Sequence, residues 1–434
     1  MTSKGKFSTA TAMAIVIANM IGTGIFTSLG FQLADIRSGF VIMVLWVLGG
    51  IMALCGALCY AELGSKLPRS GGEYNFLSEI YHPGAGFVSG WISTTVGFAA
   101  PTALAAMTFG EYLSSVFPSL HPLMLASVLI IVMTAVHSTS HKNSGGLQDF
   151  FTTGKILLII VFSVAALWSV DTVQEVSYAP KSSDLSLFTG GAFAVSLIYV
   201  GYAYTGWNAA TYLTSELENP RKTLPRVLIG GTAAVMACYL ILNYVFLATA
   251  PMDAMAGELE IGNISARYAF GDVGGIIMGL SLSLLLISTV SAMLVAAPRV
   301  LQMLGEDYSL FERLGKVNKH GIPTTAIWLQ SIMALIFLWS ATFESILLFS
   351  GATMAINSLI VIFGVFILRR RHGNQESDFS IPFYPLPPII FIAITVVTLG
   401  YLTIQNTEEI AFSAATIITG AIGYWFTKKF SKPK

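Results

Sequence analysis

The sequence predicts an all-α membrane protein with twelve transmembrane helices. Three observations carry that prediction: a deficit of charge, twelve long apolar runs, and a one-sided distribution of Lys and Arg. Of 434 residues, 54% are hydrophobic and 11% charged, against about 25% charged residues in a typical soluble domain. That leaves too little polar surface to cover a globule in water, and lipid is the solvent that tolerates it. The apolar runs lie near 8–34, 40–65, 85–115, 122–138, 147–169, 187–215, 226–250, 270–303, 324–341, 344–369, 386–405 and 410–427. Each approaches or exceeds the roughly 20 residues needed to cross the hydrocarbon core. With twelve crossings, nineteen of the 23 basic residues gather on the side of both termini, while Arg37, Lys181 and Arg267 fall on the other and Lys155 inside a span. An odd number of spans would scramble that asymmetry, and the positive-inside rule places both termini in the cytoplasm. A net charge of zero and the lack of a basic patch with interleaved aromatics argue against a nucleic-acid partner.

The elements follow in order along the chain. Lys4 and Lys6 before Thr9–Ile21 imitate the start of a signal peptide, but the apolar pattern continues to Leu33 without a clear cleavage site. It is expected to be an uncleaved first span. Connections are short, which leaves no room for a separate soluble domain, and Pro382, Pro385, Pro387 and Pro388 mark the approach to span 11. Cys55, Cys59 and Cys238 have no His neighbours within their helices and are expected to be small packing residues, with no metal and no other cofactor bound.

Two spans are interrupted at corresponding places. Span 1 carries Gly22-Thr23-Gly24 in its middle, and span 6 carries Gly201 and Gly206 around Tyr202-Ala203-Tyr204-Thr205. Each glycine costs about 1 kcal/mol against alanine inside a helix. The interruptions fall one to each half when spans 1–5 and 6–10 are compared, the pattern of an inverted-repeat transporter with a midplane site. This divides a single transmembrane domain into a first repeat near 8–169, a second near 187–369 and extra helices near 386–427. A half-helix starting at Thr23–Gly24 aims N–H groups and a positive dipole end at a carboxylate. Half-helices ending near Met20 and Tyr202 aim carbonyls at an ammonium. Together they describe a site for a free α-amino acid. Close helix packing is the alternative use of such glycines.

These residues also resemble a family. Asn19-Met20-Ile21-Gly22-Thr23-Gly24-Ile25-Phe26 resembles the span-1 signature of the amino acid–polyamine–organocation superfamily. Tyr202-Ala203-Tyr204-Thr205-Gly206-Trp207-Asn208, followed by Ser215 through Pro225, resembles the span-6 region of its L-amino acid transporter branch. Ala61-Glu62-Leu63-Gly64 with Pro68 through Tyr74 resembles the loop after span 2, and Pro298-Arg299 with Gly305-Glu306-Asp307 the end of span 8. The resemblance implies a LeuT-type 5+5 inverted repeat followed by two helices. It implies that Gly22, Thr23 and Gly24 hold the substrate carboxylate, and that carbonyls of Met20, Tyr202, Ala203 and Thr205 hold the amino group. It makes Tyr202 the outer gate and Asn208 a polar pocket residue. Animal members carry a cysteine after span 3 that links them to a heavy chain. Phe117 through Pro122 holds none, so a monomer working without a disulfide-linked partner in the plasma membrane is expected.

Lys155 lies about eight residues, or ~12 Å, into span 5, where an ionisable side chain is costly. Snorkelling to the headgroups is the alternative to a functional role. In relatives resembling this chain a lysine here replaces a sodium ion and contacts the unwound part of span 1, as a proton carrier or a fixed cation. Glu62 and Glu111 are expected to be solvated or structural, and Asn243 and Asn357 to bond between helices. No acidic residue falls in 198–208, so the expected cargo is a small to medium neutral amino acid, moved by exchange or by proton symport. An intramembrane enzyme lacks its paired aspartates, Ser/His pair or His-Glu-x-x-His, and His137 with His141 lacks a third ligand. A channel lacks a repeated filter.

Overall fold

The computed structural model describes residues 7–139, 144–170, 173–319, 321–372 and 379–430. Lys4, Lys6, His141, Lys142, Lys432 and Lys434 lie outside them. The described chain is mostly helical, without a named strand. Its principal helices are α1 (Thr9–Met20), α2 (Gly24–Asp35), α3 (Gly39–Lys66), α4 (Glu73–Ile80), α5 (Pro83–Val116), α6 (Pro122–Thr139), α7 (Ser144–Ser169), α8 (Gly191–Ala203), α9 (Pro220–Thr249), α10 (Ile261–Asp307), α11 (Thr324–Ser340), α12 (Phe343–His372), α13 (Leu386–Gln405) and α14 (Thr407–Phe430). Among the described residues, nine segments are long and apolar enough to cross a membrane, and three shorter apolar helices lie in α7, α8 and α11. The twelve apolar runs fall on these segments. Large apolar side chains on the outside, such as Val161, Val164, Val273 and Ile404, are exposed because lipid would cover them.

Contacts between helix ends define two faces. On one, Arg69 meets Asp307 at 3.8 Å and Arg299 meets Glu216 at 3.5 Å. Here Phe7 also pairs with Leu217, and Arg371 donates to the Ile80 carbonyl at 2.6 Å. The buried Glu62 carboxylate is gripped by Arg369, Lys66 and the Ile381 N–H. This basic face gathers the ends of α3 and α10 and the starts of α1 and α9. On the other face Arg37 pairs with Asp253 at 2.9 Å, and the Gly257 N–H donates to the Gly30 carbonyl at 2.8 Å.

Several local features differ from the sequence reading. The loop after span 2 contains the amphipathic helix α4, whose Tyr74, Phe76, Leu77 and Ile80 are buried. A helical segment from Ile261 precedes the span and meets it at a kink at Gly271, where φ is 72°, close to the residue 270 at which the apolar run begins. Inside α5, Ser93–Phe98 winds as a π-helical turn, a distortion that frequently marks functional sites. Asn243 donates to Tyr239 of its own helix rather than to a neighbour, and the amide nitrogen of Asn357 has no partner among the described residues.

Candidate functional site

The two interruptions interlock. Helix α1 ends at Met20, and α2 starts at Gly24 with the Thr23 hydroxyl not spent on capping it. Helix α8 ends at Ala203. The chain then turns through Gly206 at φ 96° and resumes as a 3₁₀ helix over Ala209–Glu216. That second half is therefore 3₁₀ rather than the continued α-helix the run 187–215 suggests. A Cβ on Gly24 would lie 2.5 Å from the Ala203 Cα, and one on Gly206 would lie 2.8 Å from the Asn19 carbonyl. Each break is thus held against the other by a glycine that has no room for a side chain.

A cavity of about 480 Å³ opens at this junction. Gly22, Thr23, Gly24, Met20, Tyr202, Ala203, Thr205 and Asn208 all line it, so the structure brings the two breaks to one place, while Tyr204 turns away and donates to the Trp46 carbonyl at 3.1 Å. Lys155 is buried a little apart; its ammonium donates to the hydroxyl of Thr289, which does line the cavity, at 2.8 Å. That partner lies in α10 and not in the unwound part of span 1. The cavity reaches the basic face, where Phe7, Thr11, Arg299 and Met303 line it. Toward the opposite face it is closed. Phe31 packs on Tyr199 and Phe343 with ring centroids 5.5 and 5.8 Å apart, and Tyr199 donates to Glu344. Among the described lining residues, Arg299 at the mouth is the one charged group. The site therefore offers helix-end dipoles rather than side-chain charges.

Backbone carbonyls near the junction are partly engaged. The Met20 carbonyl accepts from the Gly22 N–H at 2.8 Å and from the Tyr239 hydroxyl at 2.6 Å, which uses both lone pairs. The Tyr202 carbonyl accepts from the Thr205 N–H and hydroxyl. The Ala203 carbonyl accepts from Tyr239 at 3.0 Å and keeps one lone pair.

Two residues that the sequence reading did not assign prove central to this geometry. Tyr239 of α9 is fully buried and touches the ends of both broken helices through one hydroxyl. Glu73, the first residue of α4, is also fully buried and accepts hydrogen bonds from Asn208, Tyr212 and Tyr60. It fastens the loop after α3 to the segment that follows the α8 break. Burial pushes the Glu73 acid above the usual carboxylate range, with the hydrogen bonds opposing that shift. The sequence signal for Glu73 was present in Gly71-Gly72-Glu73-Tyr74. Nothing local marks Tyr239.

Comparison with known proteins fits this arrangement. The profile of the family described as amino acid permease matches residues 7–426. The chain belongs to the amino acid permease family. It is a transporter of the amino acid–polyamine–organocation superfamily, similar to the L-amino acid transporter branch, and not an enzyme. It is 28% identical to the serine/threonine exchanger SteT of Bacillus subtilis over 96% of this chain and 95% of that one. It is 26% identical to the human large neutral amino acids transporter small subunit 2, covering 97% of this chain and 80% of that one. With the mouse b(0,+)-type amino acid transporter 1 the identity is 24%, over 95% and 86%. As an amino acid permease the protein is a multi-pass membrane protein.

Proposed function

We propose that this permease exchanges small to medium neutral L-amino acids across the plasma membrane by alternating access, as a LeuT-type carrier of twelve crossings with both termini cytoplasmic. The observation that carries this is the cavity at two interlocked helix breaks, uncharged except at its mouth. The N–H groups at the start of α2, with the Thr23 hydroxyl, meet the substrate carboxylate. The Ala203 carbonyl, with that of Thr205, meets the ammonium, while the Met20 and Tyr202 carbonyls contribute mainly through the negative ends of α1 and α8. Cationic side chains find no counter-charge there. With the basic face in the cytoplasm, the cavity opens inward and the aromatic cluster around Tyr199, Tyr202 and Phe343 closes the outer side. Exchange and hydroxylated small substrates are supported by the name of the Bacillus subtilis relative. The permease works as a monomer without a disulfide-linked heavy chain, since the loop after span 3 offers no cysteine.

The test is labelled alanine uptake into proteoliposomes, preloaded with unlabelled alanine or empty, at two external pH values. Uptake confined to preloaded vesicles supports exchange, with Lys155 a fixed cation. The second reading is proton symport, favoured by a buried Lys155 whose hydrogen bond reaches a cavity-lining hydroxyl. It predicts acid-stimulated uptake into empty vesicles. No uptake of alanine or serine in any condition would refute the substrate class.

A further inference from the structure

The cavity does not end at the helix breaks. It continues past α8 to Met52 of α3 and to Phe391, Thr395, Thr398 and Leu399 of α13, a helix outside both five-span halves. Leu197, Ile198 and Gly201 share the α8 side that borders this extension, at the i, i+1, i+4 spacing of one helix face, and Thr205 lines the cavity from the turn beyond the end of α8. At Gly201 the wall is thin: a Cβ there would meet nothing but the flexible end of Met52, at 3.5 Å. The far wall also holds hydroxyls without ordinary partners. Thr403 of α13 returns its hydroxyl to the Leu399 carbonyl at 2.7 Å, the usual solution for a threonine in a helix. Thr395 instead turns to the Met52 sulfur at 3.9 Å, and the buried Thr398 hydroxyl has no partner among the described residues. A buried polar group held in that state calls for a hydrogen-bonding guest.

We infer that this extension, bounded by α3, α8 and α13, is a second compartment that takes the outer part of long uncharged side chains, with Thr398 meeting a polar tip. The inference rests on the exchange reading above and deepens it. A substrate anchored at the breaks sends its side chain past Gly201 into the compartment, so glutamine and methionine are accepted beside alanine and serine. A large residue at 398 shortens the compartment from its far end and leaves the anchoring groups untouched.

The test is competition of unlabelled alanine, serine, methionine and glutamine against labelled alanine exchange in proteoliposomes, for the unmodified permease and for Thr398→Leu and Thr398→Ser. The expected result is competition by all four in the unmodified protein. Thr398→Leu should weaken glutamine and methionine at least tenfold while alanine stays within twofold, and Thr398→Ser should behave as the unmodified protein. Alanine exchange without competition by glutamine or methionine would overturn the inference. So would a Thr398→Leu profile weakened equally for all four, or one unchanged. Absence of alanine and serine exchange in the unmodified protein would overturn the functional reading, and this inference with it.

Discussion

Replacing Tyr239 by phenylalanine isolates one hydroxyl at the centre of the site. The ring packs between Trp46 and Tyr204, with centroids 5.6 and 5.0 Å away, and phenylalanine keeps those contacts. What disappears is the donor shared by the Met20 and Ala203 carbonyls, at 2.6 and 3.0 Å. A net hydrogen bond is worth about 0.5–1.5 kcal/mol, and leaving a buried acceptor unsatisfied costs about 1–3 kcal/mol. One proton serves two carbonyls here, and that of Met20 keeps the Gly22 N–H as a donor, so a loss of about 1–2 kcal/mol is expected, a factor of roughly 5–30. Because the hydroxyl fixes the spacing of the ends of α1 and α8, the loss should appear as a 5- to 30-fold rise in the KM for alanine exchange, with a smaller change in maximal rate. The assay is initial-rate exchange in preloaded proteoliposomes, beside thermal unfolding of the purified variant. A lowered unfolding temperature with KM unchanged within twofold would refute the positioning role and leave Tyr239 a packing residue.

Other substitutions probe the remaining contacts. Gly24→Ala pushes a methyl against the Ala203 backbone, and Gly206→Ala adds one against Asn19 at a φ of 96°. Both should abolish exchange while the purified protein still elutes as a monodisperse species, at an overpacking cost of about 1–3 kcal/mol. Glu73→Ala leaves Asn208, Tyr212 and Tyr60 without their buried acceptor and should lower the unfolding temperature, at about 1–3 kcal/mol for each group left unsatisfied. Because the folded Glu73 acid is raised above its unfolded value, its protonated form favours the fold. The stability it contributes is full at acid pH and falls as pH rises through the raised value. Glu73→Gln should flatten that pH dependence of unfolding while keeping exchange. Glu62→Gln strips the shared carboxylate from Arg369 and Lys66. Breaking such a buried pair costs about 3–5 kcal/mol, and the outcome should be a clear loss of thermal stability.

Much of the architecture was legible because membrane spans are written as long local runs. Residues 39–66 and 386–405 needed no partner to be recognised, since lipid alone imposes their composition. The breaks were legible for the same reason: Gly22, Gly24 and Gly206 are costly inside a helix and therefore conspicuous. What stayed hidden depends on contacts between distant parts of the chain. Tyr239 sits in an ordinary apolar stretch, and its meaning comes from carbonyls 219 and 36 residues away. Glu73 reads as a loop charge until Asn208 and Tyr212 are folded over it. The resumption of span 6 as a 3₁₀ helix and the π-helical turn at Ser93–Phe98 follow from packing against neighbours, which residue type does not report. Lys155 was conspicuous as a charge in a span, but its Thr289 partner in α10 could not be read from its surroundings in sequence.

The central claim is that the start of α2 and the end of α8 hold the two charged ends of a free amino acid. A structure of the permease with alanine bound tests it most directly. The account predicts the alanine carboxylate about 3 Å from the N–H groups at Thr23 and Gly24, a hydrogen-bonding distance, with the ammonium on the Ala203 carbonyl. Alanine seated away from both breaks, or with its carboxylate on Arg299 at the mouth, would contradict it.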